Sequence, residues 1–185
     1  MKSSDTSLIA HETIDAYLKM VLGIMVLRIP QVQDFLIPNF PEASVKSSYP
    51  HEDFIIKVAD LLNGFKKEGL QGVKSLQNSF KSVNRIFILA MWTILSSHEN
   101  YDNICNEPEV QFFRHVRNGC AHSNQLNFTT VDKVAKWRDK EIKDLDKNKN
   151  IFLDILKDGD PILLVVDINN KYFIPIDLTK NTNCA

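Results

Sequence analysis

The chain is poor in the residues that build several common sites. It has six glycines in 185 residues, and none falls in a Gly-x-Gly-x-x-Gly or Gly-x-x-x-x-Gly-Lys run, so no loop is suited to cradle a nucleotide's phosphates. Its three cysteines, Cys105, Cys120 and Cys184, include no Cys-x-x-Cys pair. That argues against a disulfide framework and a structural zinc centre, and it suits a reducing compartment. Net charge is almost missing: 22 Lys and Arg stand against 23 Asp and Glu, giving −1, so any site for a polyanion must be local. Long apolar runs are also missing. Met20 to Leu27 and Ile86 to Leu95 both fall short of the ~20 residues a spanning helix needs. The segment from Met1 to Ser7 is polar and lacks the charged start of a secretory leader. Together these absences predict a cytoplasmic protein with no membrane segment, no metal and no bound cofactor.

Hydrophobic residues make up 44% and charged residues 24%, near the globular average, and the length suits a single domain with a true core. The fold class expected is all-α. Leu8, Ile14, Tyr17, Leu18, Val21, Ile24 and Met25 recur at helical spacing from Ser4 to Ile29, with Pro30 as the stop. Pro30, Pro38, Pro41 and Pro50 then mark 31–50 as an irregular excursion. His51 to Phe65 resumes helical spacing, and a further helix starts near Leu70. Ser79 or Ser82 is placed to cap a separate, nearly all-apolar helix from Val83 to Ser97. Asn106-Glu107-Pro108-Glu109 reads as a capped start for a helix over 107–122. Beyond it, 131–145 carries a weak, charge-rich helical pattern. Asp160 to Ile176 is read as helix, with a short hairpin at 162–176 as the alternative, and the tail after Thr179 as frayed.

The chemistry is concentrated in Phe112 to Asn124, FFRHVRNGCAHSN. At 100° per residue Phe112, Phe113, Val116 and Cys120 share one side of a helix, while Gln111, Arg114, His115, Asn118 and His122 gather opposite. Cys120 on the core side is a small hydrophobe before it is a nucleophile. Arg keeps its charge and forks onto phosphate oxygens, whereas His exchanges protons near neutrality. The pair Arg117 and His122 therefore fits cleavage of RNA by its own 2′-hydroxyl, with a base to take the proton and a cation to steady the phosphorane. On one unbroken helix the two point about 140° apart. Two copies meeting about a two-fold axis would bring both kinds of group into one cleft.

Arg117-Asn118-Gly119-Cys120-Ala121-His122 resembles the Arg-Asn-x-x-x-His motif of the HEPN superfamily, and the apolar Phe112, Phe113, Val116 and Ala121 match the spacing around that motif. The resemblance covers roughly residues 1–125, as a helical core with motif helix 107–122, and leaves 126–185 as a family-specific C-terminal extension of a single domain, 1–185. It implies a HEPN-like up-and-down helical bundle, a homodimer, and a metal-independent endoribonuclease of a prokaryotic toxin–antitoxin, abortive-infection or related defence system. The partners it implies are RNA and a cognate antitoxin or regulatory protein. The alternative is a non-catalytic HEPN module that binds nucleic acid or a partner protein. Catalytic roles fall to Arg117, His122 and Asn118. HEPN toxins paired with nucleotidyltransferases carry a modified Tyr two residues after the His; Asn124 stands there, so control by that modification is unsupported.

Six Lys or Arg between Val110 and Lys140, at 114, 117, 133, 136, 138 and 140, face two Asp, at 132 and 139, a local excess able to guide phosphates. Arg114, His115, Lys133, Lys136 and Arg138 are the RNA-binding candidates. Asp144, Asp146, Asn148 and Asn150 alternate like a calcium loop, but Lys149 replaces its glycine and Ile155 its last glutamate, so it lacks the turn and the bidentate ligand.

Overall fold

A computed structural model describes residues 3–39, 44–46, 55–57, 59–60, 62–63, 69–157 and 159–173. It is mostly helical, as the all-α expectation requires, with two small antiparallel sheets. The expected fraying after Thr179 lies outside the described residues. The chain divides into two compact units, Leu18–Phe80 and the combination of Met1–Tyr17 with Lys81–Ala185.

In the Leu18–Phe80 unit, and in the helix that continues from it, four expectations are corrected. Helix α1 (Ser3–Val26) ends before Pro30, and Pro30 instead opens α2 (Pro30–Asn39), where its missing N–H is one that a first turn leaves unpaired anyway. The side chain of Gln33 turns back to donate to the Leu27 carbonyl at 2.8 Å, closing the break between the helices. The excursion at 31–50 is thus helical in its first part, and Pro38 sits in the last turn. Within the expected helix 51–65, Ile55–Lys57 is a strand, β2, paired antiparallel with β1 (Ser44–Lys46). Val45, Ile55 and Ile56 favour extended backbone once a partner strand is at hand. Helix α3 runs unbroken over Gly69–Ser96, so Ser79 and Ser82 lie inside it and begin no separate helix.

The other unit holds the chemistry-bearing segment. Ala10, Ile14 and Tyr17 of α1 and Phe87, Ile88, Met91 and Leu95 of α3 are buried. Tyr17 stacks on Phe87 with centroids 4.2 Å apart, and its hydroxyl donates to the buried Asn84 at 2.6 Å. This satisfies a polar pair that would otherwise be costly to bury. Ile86, read as part of an all-apolar buried helix, is 59% exposed, so that helix keeps one open side. A one-turn helix, α4 (Tyr101–Ile104), leads into α5 (Pro108–Ala121).

Beyond α5 the charge-rich 131–145 is not helical. It forms a hairpin, β3 (Ala135–Trp137) with β4 (Lys140–Ile142), in register Trp137 to Lys140. The two-residue turn places Arg138 at φ 53°, in the left-handed region that such tight hairpins require. Ala135, Trp137 and Ile142 point inward, and the Trp137 ring lies 5.9 Å from Phe112. Segment 160–172 is a helix, α6 (Asp160–Tyr172), with Pro161 in its first turn, so the hairpin alternative there is set aside. The calcium-like stretch is a short turn in which Asp146 accepts from the Lys143 backbone at 2.8 Å and from Lys149 at 2.6 Å.

Candidate functional site

Helix α5 forms because Pro108 starts it and Val110, Phe112, Phe113, Val116 and Cys120 give it a continuous apolar stripe, all buried. The expected cap is corrected: Glu107 precedes the helix with no side-chain cap bond, while Asn106 accepts from Lys133 and Glu109 pairs with Lys171 at 2.8 Å. Gln111, read with the polar face, is 4% exposed and donates to the Cys105 carbonyl. Trp92 meets both Phe113 and Tyr101 edge-on, at 5.6 and 6.0 Å. The motif therefore sits on a firmly packed helix.

At the end of α5 Arg117 donates from Nη1 to the Asn118 side-chain oxygen at 3.1 Å. Both residues are half-buried. His122 is the C-cap: its backbone N–H reaches the carbonyls of Asn118 and Gly119 at 3.0 and 3.1 Å, and the residue is exposed. Because the chain leaves helical geometry at His122, φ −112° and ψ 74°, its side chain is no longer bound to the helical angle from Arg117. No hydrogen bond joins Arg117 to His122 among the described residues.

Three devices that the sequence reading missed hold this end in place. Arg85 of α3 donates from Nε and Nη2 to the Cys120 carbonyl at 3.0 and 2.8 Å. It sets a cation against the negative end of the helix dipole and uses one of its unpaired carbonyls. Next, Ser123 and Asn124 take φ 57° and 64°, turning the chain back sharply after His122. The returned segment is then clamped to 148–151. Ile151 N donates to Asn124 O at 2.9 Å, Leu126 N to Lys149 O at 2.9 Å and Asn148 N to Leu126 O at 2.8 Å, while Asn124 Nδ2 donates to Asn150 Oδ1 at 2.8 Å. Finally, Gly119 is buried against Ile151, and a Cβ there would stand 2.6 Å from Ile151 Cδ1. Only the glycine carried a sequence signal.

The phosphate-guiding candidates separate. Arg114 is exposed on α5 and Lys136 faces outward on β3. Lys133 is exposed and donates to Asn106. Arg138 forms a two-pronged pair with Asp167 at 2.7 and 3.0 Å and lies over the Trp137 ring. With the Glu109 and Lys171 pair it lines a groove of ≈ 480 Å³, in which each charge already has its counterpart. His115 is half-buried beside Phe128. Burial first, and then the Arg114 charge, hold its pKa below the usual histidine value against the pull of Asp132. Burial pushes the Cys120 thiol up to about 12 despite the nearby Arg85, which keeps it a core group. Among the described residues no group of three or more His, Cys, Asp or Glu is placed to hold a metal, and no single helix is long and apolar enough to cross a membrane. Comparison with protein-family models, curated proteins and solved structures finds no match.

Proposed function

We propose that this protein is a HEPN-type endoribonuclease, acting as a homodimer and cutting RNA without a metal ion. The observation that carries the reading is the end of α5, where Arg117, held by Asn118 at 3.1 Å, lies one turn and a half before an exposed His122. Support also comes from the setting of that helix, which follows the apolar α3 through the short α4 in the manner of HEPN bundles. The cleft is completed by a second copy, so that guanidinium and imidazole groups from both copies face one phosphate.

In this site an imidazole of His122 takes the proton of the ribose 2′-hydroxyl as that oxygen attacks the adjacent phosphorus. Arg117 forks onto the non-bridging oxygens, where charge builds in the phosphorane. The bond from phosphorus to the 5′ oxygen breaks, and the leaving oxygen receives a proton from water. The products are a 2′,3′-cyclic phosphate and a 5′-hydroxyl. Asn118 is a positioning residue, because its oxygen orients the guanidinium. A defence or toxin role, with an antitoxin or other regulator as partner, follows from the same reading.

The test is to incubate purified protein with a defined RNA in chelator and map the new ends. Wild type is expected to give cyclic-phosphate ends, and His122→Ala to lower the rate by about 10²- to 10⁴-fold, the usual share of acid–base catalysis. Equal cleavage by the two proteins, or complete loss of wild-type cleavage in chelator, overturns the reading.

A further inference from the structure

The ring of Phe128 lies against His115 at the edge of the proposed site, with centroids 5.2 Å apart and planes at 75°. Phe128 belongs to the loop between α5 and β3 and is half-buried, with part of its surface open to solvent. An edge-on contact of this kind engages at most one face of a ring, so His115 covers at most one face of Phe128. His115 itself is a poor phosphate contact. Burial and the neighbouring Arg114 disfavour its protonation, which makes it a neutral aromatic brace near pH 7.

Placement gives this ring pair a role. On α5 positions 115 and 118 lie about 60° apart, and 115 precedes 118 by about 4.5 Å along the axis. The ring pair therefore stands on α5 beside Asn118, the residue that holds Arg117, next to the proposed site. Arg114, exposed on the adjoining turn, and Lys133, exposed on the same loop as Phe128, supply positive charge for the strand's phosphates on either side.

We propose that Phe128, braced by His115, is a stacking platform for an unpaired base beside the cut. A base in a duplex has both faces occupied by its neighbours, whereas an unpaired base can lie on an aromatic ring whatever its identity. The platform consequently selects strand state over sequence. This inference rests on the ribonuclease reading but concerns binding alone, so it is testable without turnover.

The experiment titrates the full chain into a fluorescein-labelled 2′-O-methyl oligoribonucleotide, which lacks the attacking hydroxyl, and follows anisotropy for the single strand and for its duplex. Wild type is expected to prefer the single strand. Phe128→Ala and Phe128→Leu should weaken that binding by roughly 5- to 150-fold, the usual range for one stacked base, and Phe128→Trp should retain it. Phe128→Leu keeps the apolar bulk, so its loss separates stacking from folding. Equal affinity of Phe128→Leu and wild type, equal affinity for strand and duplex, or no binding by wild type overturns the platform. Binding that depends on Phe128, without new ends on ordinary RNA, overturns the nuclease reading and leaves the platform standing.

Discussion

Gly119 and Ile151 touch so closely that a Cβ on the glycine would lie 2.6 Å from Ile151 Cδ1 and 2.8 Å from Cγ1, with the Gln125 carbonyl at 3.0 Å. Ile151 is fully buried, so its side chain can yield only against closely packed neighbours. Gly119→Ala is therefore expected to destabilise the protein by about 1–3 kcal/mol, as overpacked cores do, even though Ala is favoured by up to about 1 kcal/mol within a helix. Adding Ile151→Val, which removes the clashing Cδ1, should recover part of the loss. Urea denaturation of wild type and the two variants checks this, and a Gly119→Ala protein as stable as wild type would show that the helix end is not packed as described.

Arg85 closes the same helix end from the other side. Arg85→Met is expected to cost about 1.5–3 kcal/mol, the range for a hydrogen bond to a charged group, and to speed amide exchange of Ala121 and His122 ahead of the rest of α5. Exchange accelerated uniformly along α5 would instead mean that Arg85 acts only on global stability.

The visibility of these features in the sequence follows from their range. Helix α5 was legible because Phe112, Val116 and Cys120 repeat along one side and Pro108 marks the start. The hairpin at 135–142 was not, since its strands are three residues each and its turn carries Arg138 and Asp139 where glycine or asparagine would signal one. Pro30 reads as a stop because proline ends a helix and also begins one, and only the backbone distinguishes the two. In the site, Arg117, Asn118 and His122 lie in one run of residues, whereas the Arg85 bond spans 35 positions. No local pattern carries such a contact, nor that of Ile151 with Gly119.

His115 makes stability depend on pH. Its folded pKa lies below the ordinary value, through burial first and Arg114 second, so near the unfolded value of about 6.5 the unfolded chain binds the proton more readily. Its contribution is fully present above about pH 6.5 and is lost as pH falls from there through the folded pKa. Denaturation midpoints measured from pH 7.5 to 5 should decline, and the decline should be shallower in His115→Phe. An identical pH profile for that variant contradicts the buried, neutral imidazole.

Cys120, fully buried and with its thiol raised to about 12, is expected to resist maleimide in the native protein at pH 8 and to react on unfolding, since the thiolate is the reacting form. Peptide mapping of labelled protein reads this directly. Rapid native labelling at Cys120 would mean that the core face of α5 opens readily.

Asn118 orients Arg117 through a single bond at 3.1 Å. Asn118→Ala is expected to leave stability nearly unchanged and to slow RNA cleavage by roughly 10- to 100-fold, the scale of a misplaced catalytic group. The loss should fall on kcat more than on KM, because the guanidinium remains present but poorly aimed.

The shared cleft is tested most directly by mixing two inactive proteins. Arg117→Ala retains His122 and His122→Ala retains Arg117, so exchange of subunits between them creates a heterodimer in which each copy supplies the group the other lacks. Cleavage of a defined RNA by the pre-exchanged mixture, above the sum of the two variants assayed alone, is the predicted result; a mixture that stays at that sum although the subunits have exchanged contradicts the composite site.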